Sequence, residues 1–400
     1  MALIGGAILV AIVAWWTWRA LHDPRAWDFQ PAYRAGQGAW TTGHPERLTL
    51  WDGTPLLAAI MAVVSRLMTL RTGAELMTVL NLVLVVGLVG VVLRRLQGQI
   101  APRWCWLTAF ALLSFGPVMS TVWWKQFNII ALTLSMGGFE LLRHKRLRSA
   151  SGLIGLSVAI KPLFVLLPFV LLARRETRRV GAMALAWVVV PNIAGQALMA
   201  ARAHDLGVMD PVRVIQNFDH KAGPTYGAAC KSLNFAPGSL LCRLMGDQNW
   251  FLQRVVVFLA VAVLGAWVID ALRGRAATSW EMLAFSSPLA VMLSPLDWAH
   301  YQVLLVPLFV LLLVRFVREG AGLGAWVGLA AAFVLCSLIW EPYGTLPGAV
   351  RALVSSHRET GYDLRSIDSV AQFAQYVLVI TGLLWYAQAR GGRSGSAARE

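Results

Sequence analysis

The sequence predicts an all-α protein that crosses a membrane many times. Of its 400 residues, 58% are hydrophobic and only 14% are charged, whereas soluble domains carry roughly 25% charged residues. Long apolar runs recur, for example at residues 79–93 and 255–268. Their length suits membrane-spanning helices, and they lack the short alternating pattern of β-barrel strands. These observations exclude an ordinary cytosolic protein.

The candidate spans are each near or somewhat below the ~20 residues that a bilayer crossing needs. They cover residues 1–18, 74–93, 104–122, 128–142, 180–200, 251–272, 279–294, 300–316, 322–340 and 370–388. With a broken apolar segment at 150–173, they predict about 10–12 transmembrane helices. The first run lacks a basic segment before it and small residues after it, so we interpret it as a retained span rather than a signal peptide.

The basic residues predict how the chain lies in the membrane. Most short basic clusters fall between apolar runs, as expected for cytoplasmic loops. This pattern accounts for the net charge of +15 without nucleic acid and makes anionic membrane lipids the partners of the cytoplasmic face. We expect one membrane domain over residues 1–388, both termini in the cytoplasm, and a disordered cytoplasmic tail at 389–400.

Two segments are too short or too irregular to cross the membrane alone. Apolar residues 151–160 and 163–172 are separated by Lys161-Pro162, and proline disfavours helix in the residue before it. Arginine-rich clusters flank both ends of this segment, which favours the same side of the membrane for its two ends. The pattern predicts a helical hairpin with Lys161 near its tip.

The second segment, residues 54–70, is interrupted by Arg66. It predicts a juxtamembrane or re-entrant helix on the outer face.

The unusual polar residues gather on the predicted outer face. They are Asp28, Asp52, Lys125, Gln126, Asn128, Lys161, Asp297 and His300. Ionisable groups in membrane-embedded protein cost roughly 2.5–3.5 kcal/mol at a helix centre, so they are usually functional. Carboxylates beside cations suit transfer of a group away from a phosphate, because a base activates the attacking hydroxyl while cations stabilise the leaving phosphate.

Each of these residues also has a structural interpretation. Asp28 can cap the helix that starts near Pro31, and Asp52 in "LWDGTP" can belong to a turn. Lys125 can extend to lipid headgroups, and His300 beside Trp298 can belong to an aromatic belt. The residues alone leave these alternatives open.

Several motifs are missing from the sequence. There is no GxxxxGK[ST], no HExxH, no paired Cys/His spacing and no Asp-x-Asp, so we expect no metal and no cofactor. A nucleotide-linked donor is therefore unsupported, whereas a lipid-phosphate donor fits a site on the outer face.

Four blocks of the chain, in order, resemble glycosyltransferase family 87 of the GT-C superfamily. They are "DFQPAYRAGQGAWTTGHP", "WWKQFNIIALTLSMGGFELL", "SGLIGLSVAIKPLFVLLPFVLLARR" and "SPLDWAHYQVLLVPL". This family contains polyprenyl-phosphate-mannose-dependent α-mannosyltransferases and related arabinofuranosyltransferases of actinobacterial cell envelopes. The resemblance implies a GT-C fold in the bacterial plasma membrane with a catalytic cavity on the outer, periplasmic face. It also implies a polyprenyl-phosphate-sugar donor and a glycolipid or glycan acceptor.

The resemblance implies a role for individual residues. Asp28 would be the general base of an inverting single displacement, Lys161 and His300 would hold the donor phosphate, and Gln126 and Asn128 would line the cavity. The polar and aromatic pattern of the outer face adds Lys125 as a candidate for the phosphate and Asp52, Tyr33, Trp298 and Asp297 as candidates for the cavity lining. The chain departs from the family pattern where Lys125 replaces the glycine of Gly-Gln-x-Asn, where Gly53-Thr54-Pro55 replaces Tyr-Pro-Pro, and where the large loop lacks Asn-Gln-Ser.

The large polar loop contains further candidates. Lys231 and Asn234 could reach an acceptor or the donor phosphate, and Cys230 and Cys242 could form a disulfide in an oxidising compartment. The alternative is two unpaired thiols in a mobile loop. Cys105 and Cys336 fall in or beside apolar runs and are interpreted as packing residues.

Three other functions stay open. Arabinofuranosyl transfer from a polyprenyl-phosphate donor would use the same fold. An ion-coupled transporter would also need membrane ionisable groups, but it would place them near the midplane and show internal repeats. A polyprenyl-lipid flippase would not need Asp28.

Overall fold

A computed structural model describes residues 2–23, 26, 28–45, 53–205, 250–273, 279–293, 299–338 and 375–385. Within these ranges the regular structure is helical, with one isolated bridge between Gln97 and Ile100. The predicted all-α class is confirmed.

The described helices follow the predicted spans closely, with most ends within a few residues. They are α1 Ala2–His22, α2 Phe29–Thr42, α3 Pro55–Leu67, α4 Leu70–Leu96, α5 Pro102–Ser114, α6 Gly116–Trp123, α7 Asn128–Arg143, α8 Leu147–Ile160, α9 Leu166–Leu172, α10 Arg178–Ala203, α11 Trp250–Arg273, α12 Ser279–Leu293, α13 Val306–Glu319, α14 Leu323–Leu338 and α15 Gln375–Trp385. Short 3-10 turns cover Pro162–Phe164 and Ala299–Leu305.

Several of these helices are suited to a bilayer. Among the described residues, three are long and apolar enough to cross it, at Leu70–Leu96, Arg178–Ala203 and Tyr301–Glu319, and α5 with α6 makes a fourth if that bent pair is one span. Shorter apolar helices accompany them. The prediction that the chain crosses a membrane more than once is confirmed, while the number of about 10–12 spans stays a prediction.

The predicted span at 104–122 is one helix broken into two. α5 and α6 meet at an angle of 43°, with Phe115 between them in extended conformation (φ −67°, ψ 115°). Pro117 explains the new start, because proline is favoured in the first turn of a helix and cannot donate to the turn before it.

The described residues group into two compact units. The first contains those of Met1–Val92, Phe110–Ser114 and Val118–Ala228, and the second contains those of Leu93–Ala109, Phe115–Pro117 and Ala229–Glu400. The predicted limits of a single membrane domain at 1–388 stay a prediction, and the tail at 389–400 lies outside the described residues.

In the first unit, α2 lies directly on α3. A methyl group at Gly36 would overlap the backbone carbonyl of Met61, so only glycine allows this approach. α3 starts with the Thr54 hydroxyl accepting from the amide of Leu57 at 3.2 Å, and Asn192 of α10 accepts from the amide of Leu56 at 3.0 Å. These contacts fix the short helix that the sequence predicted at 54–70 against both neighbours.

The predicted break at Lys161-Pro162 is present. α8 ends at Ile160, and the chain continues through a 3-10 turn into α9. A methyl at Gly155 of α8 would meet Trp187 and Ala184 of α10, and a methyl at Gly181 would lie 2.7 Å from the amide nitrogen of Leu172. The middle of α8 and the end of α9 therefore both lie beside the first three turns of α10, as expected of a segment that turns back on itself.

In the second unit, α12 is buried along nearly its whole length. Its one acidic residue, Glu281, is 3% exposed and pairs with Arg315 of α13 at 2.9 Å. Arg315 also reaches Glu319 at 2.6 Å. The guanidinium of Arg95 lies 5.0 Å from the ring centre of Trp280. This arrangement satisfies a buried carboxylate that would otherwise be unfavourable in an apolar core.

Candidate active site

Asp28 occupies the N-cap position of α2 but does not act as its cap. Its backbone is in the right-handed helical region (φ −73°, ψ −12°), and its side chain makes no capping hydrogen bond. The carbonyl of Ala26 accepts instead from the amides of Phe29 at 3.0 Å and Gln30 at 3.3 Å. Helix capping therefore does not explain why a carboxylate stands here.

The carboxylate of Asp28 is held by Gln126, whose side-chain Nε2 donates a hydrogen bond to Asp28 Oδ2. The residues that follow them, Phe29 and Phe127, stack with ring centres 6.3 Å apart and planes at 21°. One polar and one apolar contact thus join the start of α2 to the turn before α7. Two residues that the resemblance assigns to one cavity are in direct contact.

The turn that carries Gln126 is a Schellman motif at the end of α6. The amide of Lys125 donates to the carbonyl of Val122 at 3.2 Å, and the amide of Gln126 donates to that of Thr121 at 3.1 Å. Such a turn needs a left-handed residue, usually glycine. Lys125 fills that position with φ 55°, at a cost of about 1–2 kcal/mol for a residue that has a Cβ. The departure from the family glycine therefore falls where glycine is favoured.

Asn81 ties the same turn to α4. Its side-chain Nδ2 donates to the backbone carbonyl of Gln126 at 3.0 Å, and the residue is fully buried. Asn81 is not among the residues predicted from the sequence, although it is a polar residue inside the apolar run 79–93. That interruption was the signal that could have identified it.

Lys161 lies beside the same apolar cluster as the neighbours of Asp28 and Gln126. The cluster includes Ala26, Phe29 and Phe127, and Ile160 packs against it. Lys161 follows Ile160 in extended conformation (φ −137°, ψ 107°) and is partly exposed. The residue before the hairpin break and the residues on either side of Asp28 therefore belong to one apolar region of the first unit.

Tyr33 and Asn128 are both buried in this region, at 6% and 0% exposure. The Tyr33 hydroxyl donates to the carbonyl of Met68 at 2.9 Å, at the end of α3. Asn128 is the first residue of α7. Tyr33 thus braces α2 against α3, and its predicted place along a substrate cavity stays a prediction.

The structure does not describe the side chains of several predicted site residues. Asp52, Asp297, Trp298, Lys231, Asn234, Cys230 and Cys242 lie outside the described residues. His300 lies in the 3-10 turn of the second unit, and its side chain lies outside them too. Cys105 is half-buried and Cys336 is buried, and the two do not form a disulfide with each other. No group of three or more His, Cys, Asp or Glu suited to a metal occurs in the part of the chain that is described, and the expectation of no metal stays a prediction.

This arrangement can support proton removal beside a bound anion. Gln126 orients a partly buried carboxylate, and a carboxylate can take up a proton as a general base. Lys125 directly precedes Gln126 in the chain, and Lys161 directly follows Ile160, which packs against the cluster that contains Phe29 and Phe127. Such cations can stabilise the charge of a leaving phosphate.

Comparison with known proteins identifies the family of the chain. A curated protein of Mycolicibacterium smegmatis (strain ATCC 700084 / mc(2)155), named polyprenol-phosphate-mannose-dependent alpha-(1-2)-phosphatidylinositol mannoside mannosyltransferase, is 28% identical over 94% of this chain and 88% of its own length. No solved structure matches the chain. The family model of glycosyltransferase family 87 matches residues 53–295. The chain is therefore a membrane glycosyltransferase and belongs to glycosyltransferase family 87.

Proposed function

We propose that the protein transfers a mannosyl residue from polyprenyl-phosphate-mannose to a glycolipid acceptor of the phosphatidylinositol mannoside class. The hydrogen bond from Gln126 to Asp28 is the observation that carries the proposal, because it presents an oriented carboxylate at the first loop. The printed name of the M. smegmatis relative supports mannose as the sugar and a phosphatidylinositol mannoside as the acceptor. It favours mannose over the arabinofuranose that the family resemblance leaves open.

In the proposed reaction, an acceptor hydroxyl attacks the anomeric carbon of the donor sugar. The new bond joins the acceptor oxygen to that carbon, and the bond from the carbon to the phosphate oxygen breaks. Asp28 takes the hydroxyl proton, and polyprenyl phosphate leaves with the electron pair of the broken bond. A single displacement inverts the anomeric carbon, so a β-linked donor gives an α-linked product without a sugar–enzyme intermediate.

Cationic side chains would stabilise the departing phosphate. Lys125 and Lys161 lie on two segments of the first unit, and His300 is the third candidate from the resemblance. A monophosphate leaving group needs charge neutralisation and hydrogen bonds, which ammonium and imidazolium groups can supply without a metal. Lys125 supports this role in a further way, because it keeps a left-handed conformation that glycine would adopt more easily.

We place the site on the outer face of a bacterial plasma membrane, with both termini in the cytoplasm. The basic clusters at 143–148 and 174–179 support this orientation, since both flank the segment that turns back at Lys161. A lipid-linked donor fits that face, where sugar nucleotides are absent. The test of orientation is modification of single added cysteines by an impermeant reagent in intact cells, at Lys145 for the cytoplasmic side and at Thr41 for the outer side. Labelling of Lys145→Cys without labelling of Thr41→Cys would indicate the opposite orientation in the membrane.

Purified protein in detergent or vesicles tests the proposed function. Its substrates would be polyprenyl-phosphate-mannose or polyprenyl-phosphate-arabinose, each with a phosphatidylinositol mannoside or with no acceptor. Mannose incorporation into the glycolipid, with the α configuration at the new linkage by NMR, is the expected result. If the protein uses the arabinose donor and not the mannose donor, it is an arabinosyltransferase and the proposal of mannosyl transfer is wrong. A β linkage would exclude a single inverting displacement on a β-linked donor.

A further inference from the structure

Asn81 is a polar residue in a place that favours an apolar one. It lies in α4, a 27-residue apolar helix, and it is fully buried. Its side-chain Oδ1 has no hydrogen-bond partner among the described residues. A buried amide with one unsatisfied atom is unfavourable for the fold, so a benefit elsewhere is needed to account for it.

The one described hydrogen bond of the Asn81 side chain goes to the catalytic turn. Nδ2 donates to the backbone carbonyl of Gln126 at 3.0 Å, 45 positions along the chain. The same residue, Gln126, donates through its side chain to Asp28. Asn81 therefore holds the backbone of Gln126, the residue that orients the carboxylate. Through Gln126 it is linked to Asp28.

The turn needs such support because its geometry is strained. Lys125, next to Gln126, is left-handed with φ 55°, and a turn ending on a non-glycine residue is less favourable than its glycine counterpart. Loss of the Asn81 donor would leave the Gln126 carbonyl buried without that partner and let the turn relax. The side chain of Gln126 would then move relative to Asp28.

We infer that Asn81 is a positioning residue for sugar transfer: its side-chain amide holds the 125–127 turn so that Gln126 keeps the Asp28 carboxylate aligned on the acceptor hydroxyl. Asn81 touches no substrate in this arrangement. The inference rests on the proposed function, since it assumes that Asp28 removes the proton. It predicts that Asn81 affects the rate of transfer and not the binding of the donor.

The experiment compares Asn81→Leu, Gln126→Leu and the double variant in the transfer assay. Leucine fits an apolar helix, so we expect the single variant at Asn81 to fold, with a melting temperature lowered only by the loss of the hydrogen bond to the Gln126 carbonyl. Its kcat should fall about 10–100-fold, as expected from a small misplacement of a catalytic group, with the KM for the donor within about twofold. The double variant should be no slower than Gln126→Leu, because both changes remove the same alignment.

Thr78→Val is the matched control. Thr78 lies on the same helix and is equally buried, and its hydroxyl donates within α4, to the carbonyl of Ala74 at 3.0 Å. Its kcat should stay within about twofold of the wild type. A general effect of removing a buried polar group from α4 would instead slow both variants.

The outcomes separate this inference from the proposed function. Wild-type kcat in Asn81→Leu, a rise in KM with unchanged kcat, or losses that multiply in the double variant would each overturn the positioning role. If Asp28→Asn keeps its turnover, the assignment of Asp28 as the base fails, and with it the inference, whereas absence of mannose transfer by the wild type would contradict the proposed function itself. If Asp28→Asn is inactive and Asn81→Leu is fully active, Asn81 has no positioning role, while Asp28 remains the base.

Discussion

Gln126 and Asp28 are 98 positions apart in the chain, and the amide of one donates a hydrogen bond to the carboxylate of the other. Because Gln126 lies in the turn between α6 and α7, this bond connects the first loop of the protein to the middle of its membrane domain. A neutral amide can orient a carboxylate without neutralising it. The pairing is therefore suited to a base that must stay available for a proton.

Replacing Lys125 by glycine should separate backbone strain from side-chain function. Glycine adopts the left-handed conformation without steric cost, although it adds entropy to the unfolded chain, so stability should change by no more than about 1 kcal/mol. Loss of the ammonium should raise the KM for the donor, measured from initial rates at saturating acceptor. Lys145→Gly is the control, because Lys145 has φ 59° in the same kind of turn and is exposed. Unchanged donor kinetics in Lys125→Gly would remove that lysine from the phosphate site.

Lys161→Ala should weaken use of the donor more than use of the acceptor. Lys161 lies at the break in the membrane segment, and the preceding Ile160 packs against the apolar cluster that contains Ala26 and Phe29. Its loss should raise the KM for the donor, and it should leave the KM for the acceptor within about twofold. The ratio of the two KM values, measured in one assay series, checks this expectation. A selective rise in the KM for the acceptor would assign Lys161 to the other substrate.

Gly36→Ala should destabilise the first unit. The added methyl would overlap the Met61 carbonyl, which cannot move without shifting α3, and overpacking of this kind costs about 1–3 kcal/mol. The melting temperature in detergent should fall. Gly90→Ala serves as the control, since the space around Gly90 in α4 is open and alanine is favoured over glycine within a helix. Equal melting temperatures for the two variants would mean that α2 and α3 are not packed this closely.

Glu281→Ala should destabilise the second unit, because Arg315 would lose its ion pair with a buried carboxylate. Arg315 keeps Glu319 and partial contact with solvent, so we expect a loss of about 1–3 kcal/mol. The exposed pair of Arg71 and Glu75 supplies the comparison, and Glu75→Ala should change stability by less than about 1 kcal/mol. Thermal unfolding of both variants measures the difference, and a melting temperature for Glu281→Ala equal to that for Glu75→Ala would show that the buried pair adds nothing.

Local patterns in the sequence predicted much of the fold. Long apolar runs predicted α4, α7 and α10, since transfer into lipid depends on composition over about 20 residues. The break at Lys161 was predicted because the effect of proline on the preceding residue is local. The break at Phe115 was missed, although Pro117 marked the start of a new helix.

The contacts of the site depend on packing between distant segments, and periodicity carries no information on them. The sequence indicated Asp28 and Gln126 as separate candidates and could not predict that one holds the other. Asn81 was missed because a single amide in an apolar run weakly changes its hydropathy. The conformation of Lys125 was also missed, although a position that is glycine in similar proteins is a signal of left-handed backbone.

The rate of mannose transfer by Asp28→Asn tests the central claim most directly. Because the Asp28 side chain does not cap α2, asparagine should leave the helix intact, and an unchanged melting temperature would establish that the variant is folded. Transfer from polyprenyl-phosphate-mannose should then fall by at least ~10²-fold, since an amide cannot remove the acceptor proton and loss of a general base typically costs ~10²–10⁴ in rate. Turnover within about tenfold of the wild type by this folded variant would contradict the assignment of Asp28 as the base.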